Sequence, residues 1–140
     1  MTWIEYAKRL EANLLDLHAR VHTGAYRALP SRRKYIPKAD GRQRPLGIAA
    51  IEDKIVQAAV AAILTPIYES EFLGFSYGFR PKRSQHQALD ALAFGIGKRR
   101  INWVLDCDVQ SFFDKVSRDW LIRFVEHRIG DRRVIRLIAK

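Results

Sequence analysis

The chain has 140 residues, of which 48% are hydrophobic and 11% aromatic, and this composition excludes an intrinsically disordered tail. The formal net charge of +10 makes a polyanion the first candidate partner, and nucleic acid is favoured over an anionic membrane because no basic amphipathic helix or lipidation motif stands out. A single cysteine excludes an internal disulfide and suits a reducing cytoplasm. No apolar run approaches the roughly 18 residues that a membrane span needs.

The first predicted element is an amphipathic helix over residues 2–22. Apolar residues recur there at alternating steps of four and three, from Trp3 to Val21. Thr2 and Glu5 have the spacing of a capping box at the helix start, and Gly24 is the predicted end.

A basic β-hairpin is predicted for residues 32–49. Asp40-Gly41 is a strong turn signal between two strand-like arms, and Pro37 and Pro45 restrict those arms to a sheet edge. Two interpretations remain open on composition alone. Either the hairpin projects towards a polyanion, or it is a charged edge that prevents aggregation.

Several helices are predicted after the hairpin. Residues 51–64 form a largely buried helix that Pro66 is expected to close, and 76–81 form a loop rich in glycine and aromatic residues. A capping box of Ser84 and Gln87 begins the next helix, whose predicted apolar face comprises Leu89, Leu92 and Ala93.

Two further helices are predicted near the C-terminal end of the sequence. The first covers residues 118–128, and Asp131 is expected to cap the second. The side chains expected inside the first are Trp120, Leu121, Phe124 and Val125.

A short apolar strand with acidic residues is predicted for residues 102–109. Asp106 and Asp108 would share one face of that strand, and Cys107 would face the core. Carboxylates at a strand end are suited to a hard cation such as Mg²⁺. The alternative is that both point to solvent and that Asp114 is a turn or cap residue.

Four consecutive segments carry a family resemblance. They are RRKYIPKADGRQRPLGI, EDKIVQAAV, FLGFSYGFRPKRSQHQAL and VLDCDVQSFFDKV. In order and spacing they resemble the N-terminal blocks of bacterial group II intron-encoded reverse transcriptases. A single block would be a weak signal, but four in series over nearly the whole chain are highly specific.

The resemblance implies an α+β fold that is part of a right-hand polymerase. The fingers would contain the basic hairpin and helices, and the first palm strand and its helices would follow. Residues 1–100 would form the N-terminal helix and the fingers, and residues 101–140 the start of the palm.

The resemblance also implies roles in two-magnesium nucleotidyl transfer. Asp108 matches the aspartate that binds both catalytic Mg²⁺ ions, with the carbonyl of Val109 as a further ligand. Lys38 and Arg44 match residues that hold the incoming deoxynucleoside triphosphate. Phe113 occupies the position of the bulky side chain that crowds the sugar 2′-hydroxyl.

The implied partners are an RNA template or intron RNA, a DNA primer and a deoxynucleoside triphosphate. Contacts to an RNA backbone would be salt-sensitive and largely independent of sequence. The residues expected to make them are Arg32, Arg33, Arg80, Lys82 and Arg83.

The sequence departs from the family in lacking the tyrosine–any–Asp–Asp motif and the Pro-Gln-Gly block. Asp108 therefore has no partner carboxylates from the later hairpin, and we expect the 140-residue chain to be inactive as a polymerase by itself. An incomplete palm is also expected to expose apolar surface, and the expected result is either marginal stability or association with a complementing chain. The alternatives are a non-catalytic RNA-binding module and a decayed remnant.

Overall fold

A computed structural model describes residues 2–37, 39, 41–99 and 101–140. The described part of the chain contains helices and one two-stranded antiparallel sheet, as predicted for an α+β protein. In chain order the elements are α1 (Trp3–Ala7), α2 (Leu10–Thr23), β1 (Arg32–Pro37), β2 (Gln43–Ile48), α3 (Ile51–Glu69), α4 (Gln85–Lys98), α5 (Phe112–Lys115), α6 (Arg118–Arg128) and α7 (Arg132–Ile138).

The chain divides into two compact units. Unit 1 comprises Met1–Ala62 and Arg118–Lys140, and unit 2 comprises Ile63–Ser117. The predicted division between residues 100 and 101 and the right-hand arrangement stay predictions.

The predicted N-terminal helix is present but interrupted. The predicted capping box is confirmed, since Glu5 N–H donates to Thr2 Oγ1 at 3.3 Å and Thr2 N–H donates to Glu5 Oε2 at 2.7 Å. The prediction of a continuous helix over residues 2–22 was wrong. Arg9, at φ −132° and ψ 41°, leaves the helical region and precedes a second helix. This helix ends as predicted at Gly24, whose φ of +80° suits a residue without Cβ.

Unit 1 contains a small apolar core. Leu17 of α2, Tyr26 and Val56 of α3 are its buried members. The half-buried side chains packed against them are Val21, Ile55, Val60 and Leu137.

A buried carboxylate joins the end of α2 to α3. Asp53 is 3% exposed, and its oxygens accept hydrogen bonds from Tyr26 O–H at 2.5 Å and from Leu29 N–H at 3.1 Å. Burial and the hydrogen bond to Asp53 together raise the pKa of Tyr26.

Helix α3 is longer than predicted. It continues through Pro66 to Glu69, so the expected closure at Pro66 was wrong. Pro66 has no N–H to donate, so the carbonyl of Ala62 lacks that intrahelical bond, but the helix continues past it.

Unit 2 is open. Its helix α4 starts at the predicted capping box, where Gln87 N–H donates to Ser84 Oγ at 3.3 Å and Ser84 N–H donates to Gln87 Oε1 at 2.9 Å. The predicted apolar face is not buried, since Leu89 is 60% exposed and Leu92 44%. Among the described residues of this unit, Arg80 alone is buried.

The strand predicted for residues 102–109 is not formed. These residues have no regular secondary structure and are exposed, including Cys107, which was expected to face the core. A strand needs a neighbour for its backbone N–H and C=O groups. Over the described ranges, only β1 and β2 pair with each other.

The two C-terminal helices are confirmed, but not the predicted interior of α6. Trp120, Leu121 and Phe124 are exposed, and of the four side chains predicted inside only Val125 is half-buried. Asp131 caps α7 as predicted and accepts a hydrogen bond from Arg133 N–H at 2.7 Å, which lowers the pKa of Asp131. In the part of the chain described, no helix is both long and apolar enough to cross a membrane.

Candidate nucleic-acid interface

The β1–β2 hairpin in unit 1 presents two different exposed faces. Its register pairs Arg32 with Ile48, Lys34 with Leu46 and Ile36 with Arg44. Because side chains alternate along a strand, these six residues share one face, which carries three cations among apolar side chains. Apart from the half-buried Ile48, all of them are exposed.

The opposite face of the hairpin is different. It places Tyr35 opposite Pro45 and Arg33 opposite Gly47. Tyr35 is 51% exposed, so its ring is available for stacking. The predicted nucleotide-binding residue Lys38 lies outside the described residues.

Arg80, predicted to contact nucleic acid, instead holds a loop of unit 2 in place. Its Nη2 and Nε donate to Glu69, with the shortest contact 2.7 Å from Nη2 to Oε1. Its Nη1 donates to the carbonyls of Leu73 and Ser76, each at 2.8 Å, and the guanidinium lies 4.9 Å from the centre of the Phe72 ring. These contacts favour a structural role for Arg80.

Glu69 is the matching anion of this network. Its hydrogen bonds with Arg80 lower the pKa of the Glu69 carboxyl and raise the pKa of the Arg80 guanidinium. The Arg80 side chain is only 6% exposed, so an uncompensated charge there would be unfavourable.

Two other predicted nucleic-acid contacts lie next to Arg80 on an exposed loop. Lys82 and Arg83 are both exposed, and the Arg83 guanidinium lies 5.4 Å from the centre of the Tyr77 ring. Phe79 is fully exposed, with a φ of +57°, and so is not packed beneath the loop. The loop therefore presents cations and an aromatic ring to solvent.

The predicted magnesium ligands lie on the irregular segment of unit 2. Asp108 is exposed and Val109 is 68% exposed. Of the residues the structure describes, no three His, Cys, Asp or Glu side chains lie together as a metal site would require. These residues therefore do not by themselves fit a magnesium ion, which takes several oxygen ligands.

The side chain of Phe113, predicted to crowd a sugar hydroxyl, is exposed to solvent and is not packed in a core. It is 86% exposed in α5, and its ring meets that of Phe112 edge to face at 5.4 Å. Helix α5 begins after Ser111, whose φ of +54° is rare for a residue other than glycine.

The predicted site residues fall in both units. Arg32, Arg33 and Arg44 all lie on the hairpin of unit 1, where Arg32 and Arg44 share one face and Arg33 lies on the other. The other described site residues lie in unit 2, with Arg80, Lys82 and Arg83 on one loop and Asp108, Val109 and Phe113 on the segment that ends in α5.

The sequence analysis missed a basic cluster in unit 1, where the end of α2 meets α7. Arg133 and Arg136 line a cavity there together with Lys140 and Arg27. The i, i+3, i+7 spacing of 133, 136 and 140 was a usable signal for one helix face, but only the fold brings Arg27 to it.

Comparison with known proteins gives a consistent result. The profile of the family described as reverse transcriptase (RNA-dependent DNA polymerase) matches residues 36–139. Protein YkfC of Escherichia coli (strain K12) is 43% identical over 135 residues, which cover 94% of this chain and 35% of YkfC.

Two intron-associated proteins are also similar. The group II intron-encoded protein LtrA of Lactococcus lactis subsp. cremoris is 40% identical over 118 residues, covering 84% of this chain and 19% of LtrA. An uncharacterized 91 kDa protein in the cob intron of Schizosaccharomyces pombe is 40% identical over 111 residues, covering 79% of this chain and 14% of that protein. The chain thus spans about a third or less of the length of these relatives.

Proposed function

Since the chain belongs to the reverse transcriptase (RNA-dependent DNA polymerase) family, we propose that it supplies the fingers and the start of the palm of a group II intron-type RNA-directed DNA polymerase with maturase function. The observation that carries this proposal is the basic hairpin. It lies in the segment similar to LtrA-type relatives and exposes the arginines that a triphosphate or an RNA backbone would contact.

We assign separate tasks to the two ends of the hairpin. Arg44, together with Lys38, binds the phosphates of the incoming deoxynucleotide, because a guanidinium donates two parallel hydrogen bonds to phosphate oxygens. Arg32 and Arg33, with Lys82 and Arg83 on the unit 2 loop, bind the backbone of template or intron RNA. Phe113 excludes a ribose 2′-hydroxyl by its volume.

Nucleotidyl transfer itself is proposed for a longer protein. When bound in such a protein, magnesium would supply charge stabilisation at the reacting phosphate, with Asp108 and the Val109 carbonyl among its ligands. The described residues include no group of three His, Cys, Asp or Glu side chains around Asp108 that could hold a metal ion. We therefore expect the 140-residue chain alone to bind RNA and not to extend a primer.

The first test measures RNA binding by the 140-residue chain as a function of salt. In the variant Arg32→Gln/Arg33→Gln, the log–log salt slope should fall by about 1.4, since each phosphate contact to a single strand contributes roughly 0.7. The matched control Lys8→Gln/Arg9→Gln removes the same charge from exposed positions outside the hairpin. Equal losses in both variants would contradict a localised interface.

A second candidate function is a non-catalytic RNA-binding module. It is favoured by the combination of an exposed basic hairpin and the absence, among the described residues, of a three-ligand metal group that includes Asp108. The change Asp108→Ala distinguishes the two candidate functions. It is made in this chain joined to the remaining palm of a full-length relative. Loss of primer extension with unchanged RNA affinity supports the polymerase, whereas a tenfold loss of RNA affinity would refute the assignment of Asp108.

A further inference from the structure

We propose that the cavity between the C-terminal end of α2 and helix α7 in unit 1 binds a phosphate group. The cavity has a volume of about 260 Å³. Drug-sized ligands need clefts of roughly 300–1,000 Å³, so this space suits a smaller group. It is separate from the hairpin residues to which the proposed function assigns phosphate contacts.

The charge of the lining determines the chemistry of the ligand. Four cations line the cavity, Arg27, Arg133, Arg136 and Lys140, and His22 lies beside them. No acidic side chain is part of this lining, so its side chains carry a formal charge of +4 with His22 neutral, or +3 when the α-carboxylate of Lys140 in the 140-residue chain is counted. Like charges gathered with too few counter-anions repel one another, and an anion bound among them reduces that repulsion.

Two of these cations also have a structural task. Lys140 Nζ donates to the carbonyls of Tyr26 at 2.7 Å and Gly24 at 3.3 Å, and Arg27 Nη1 donates to the same two carbonyls. These carbonyls follow the C-terminal end of α2, where the helix dipole attracts cations. Capping therefore explains Lys140 and Arg27 without any ligand.

Capping does not explain Arg133 and Arg136. Arg133 contacts Asp131 at 3.5 Å through Nη2, but its side chain remains 67% exposed. Arg136 is exposed and, within the described residues, forms no ion pair. The two lie three residues apart on α7, so their guanidinium groups project from neighbouring positions of one helix face. They form the part of the cavity that is available to a ligand.

Phosphate is the anion that suits this arrangement. Two planar guanidinium groups can each donate a pair of hydrogen bonds to the phosphate oxygens. The negative charge of the phosphate is then close to several cations at once. An adjoining pocket adds Asp131 next to His22 and Arg133. That carboxylate limits the anion to the Arg136 side of the cavity.

Two sources could supply the phosphate group, a phosphodiester of RNA or a free polyphosphate. We commit to the RNA backbone, an assignment that rests on the proposed function. The cavity would then give RNA a second contact, on the helical part of unit 1 in addition to the hairpin.

The test compares Arg133→Gln/Arg136→Gln with Lys8→Gln/Arg9→Gln in the 140-residue chain, each removing two charges. Arg9 precedes α2 and Gly24 follows it, about 20 Å apart along the helix. This exceeds the Debye length of about 10 Å at 0.1 M salt. We expect the first variant to bind a labelled single-stranded RNA roughly threefold to tenfold more weakly, with a salt slope lower by about 1.4, and the second to change neither appreciably.

A second measurement uses the unaltered chain. Tripolyphosphate is added, and modification of arginines by phenylglyoxal is mapped by mass spectrometry. We expect protection of Arg133 and Arg136 but not of Arg9. Absence of protection together with unchanged RNA binding in Arg133→Gln/Arg136→Gln would overturn the proposal.

The remaining outcomes separate this site from the proposed function. If the hairpin variant loses RNA affinity but the α7 variant does not, and protection is seen, the cavity binds free polyphosphate and the RNA assignment fails. If the unaltered chain binds no RNA but tripolyphosphate still protects Arg133 and Arg136, the phosphate site stands while the proposed function fails.

Discussion

Buried polar residues of this chain serve the fold rather than an interface. Asp53 satisfies the hydroxyl of Tyr26 and the backbone of Leu29, and Arg80 satisfies two loop carbonyls and Glu69. A sequence pattern does not reveal such roles, because an arginine next to glycine and aromatic residues looks the same whether it faces solvent or the loop beneath it. The exposed cations to which we assign phosphate contacts are instead on the hairpin, on the 82–83 loop and on α7.

The first prediction concerns Asp53. The change Asp53→Ala should lower the free energy of unfolding by about 1.5–3 kcal/mol, because Tyr26 O–H and Leu29 N–H would lose a charged acceptor. Urea denaturation at pH 7 measures this effect. The exposed Asp90→Ala is the control and should change stability by less than about 0.5 kcal/mol. Similar losses in both variants would disprove the role of Asp53.

The second prediction concerns the pH dependence of the Arg80 network. The pKa of Glu69 is lowered in the folded chain, so the unfolded state binds the proton more tightly. The stabilisation is therefore present above the ordinary pKa of 4.5 and is lost as pH falls through the lowered value. Glu69→Gln should melt at a lower temperature than the unaltered chain at pH 7.

The difference between Glu69→Gln and the unaltered chain should shrink as pH falls below 4.5 and vanish once Glu69 itself is protonated. The exposed Glu126→Gln serves as control, with no comparable pH-dependent difference. A difference that does not shrink at all as pH falls below 4.5 would mean that Glu69 acts through packing and not through its charge.

At the level of elements, local signals predicted helix starts well. Both predicted capping boxes and the Asp131 cap are formed, since each depends on residues within three positions of one another. The hairpin also formed where the turn signal and the two prolines placed it. Predictions based on a single breaker or an apolar run were less reliable, as Pro66 and residues 102–109 show.

The third prediction compares two glycines. Gly24 has φ +80°, so Gly24→Ala should destabilise the chain by about 1 kcal/mol, although nothing lies within 4 Å of an added Cβ. Gly97 lies inside α4 with similar free space, and Gly97→Ala should stabilise by up to about 0.5–1 kcal/mol. Chemical denaturation of both variants is the measurement. Equal signs would contradict the role assigned to the left-handed conformation.

For the molecule as a whole, the two units differ in how much they bury. Unit 1 has a core around Leu17, Tyr26 and Val56, whereas the described residues of unit 2 bury no apolar side chain. Trp103 is 91% exposed and Leu105 87%. Contiguous apolar surface of this kind promotes association.

The fourth prediction follows from that exposed segment. Trp103→Ser/Leu105→Ser should reduce self-association of the 140-residue chain, measured by sedimentation velocity over a tenfold range of concentration, with little loss of stability. Trp3→Ser/Leu15→Ser makes the same chemical change at exposed positions of unit 1. If this control reduces association as much as the first variant, the 103–105 segment is not the surface through which the chains self-associate.

The sequence by itself determined the family, the α+β class, the hairpin and the helix caps. These depend on the order of the four segments that resemble the family and on interactions between residues close in the chain, which one sequence carries in full. The tertiary structure decided which side chains are exposed and could contact a ligand. It buried Arg80, left residues 102–109 without a strand partner and brought Arg27 to Arg133 and Arg136. Burial and strand pairing depend on contacts between residues distant in the chain, which local patterns do not contain.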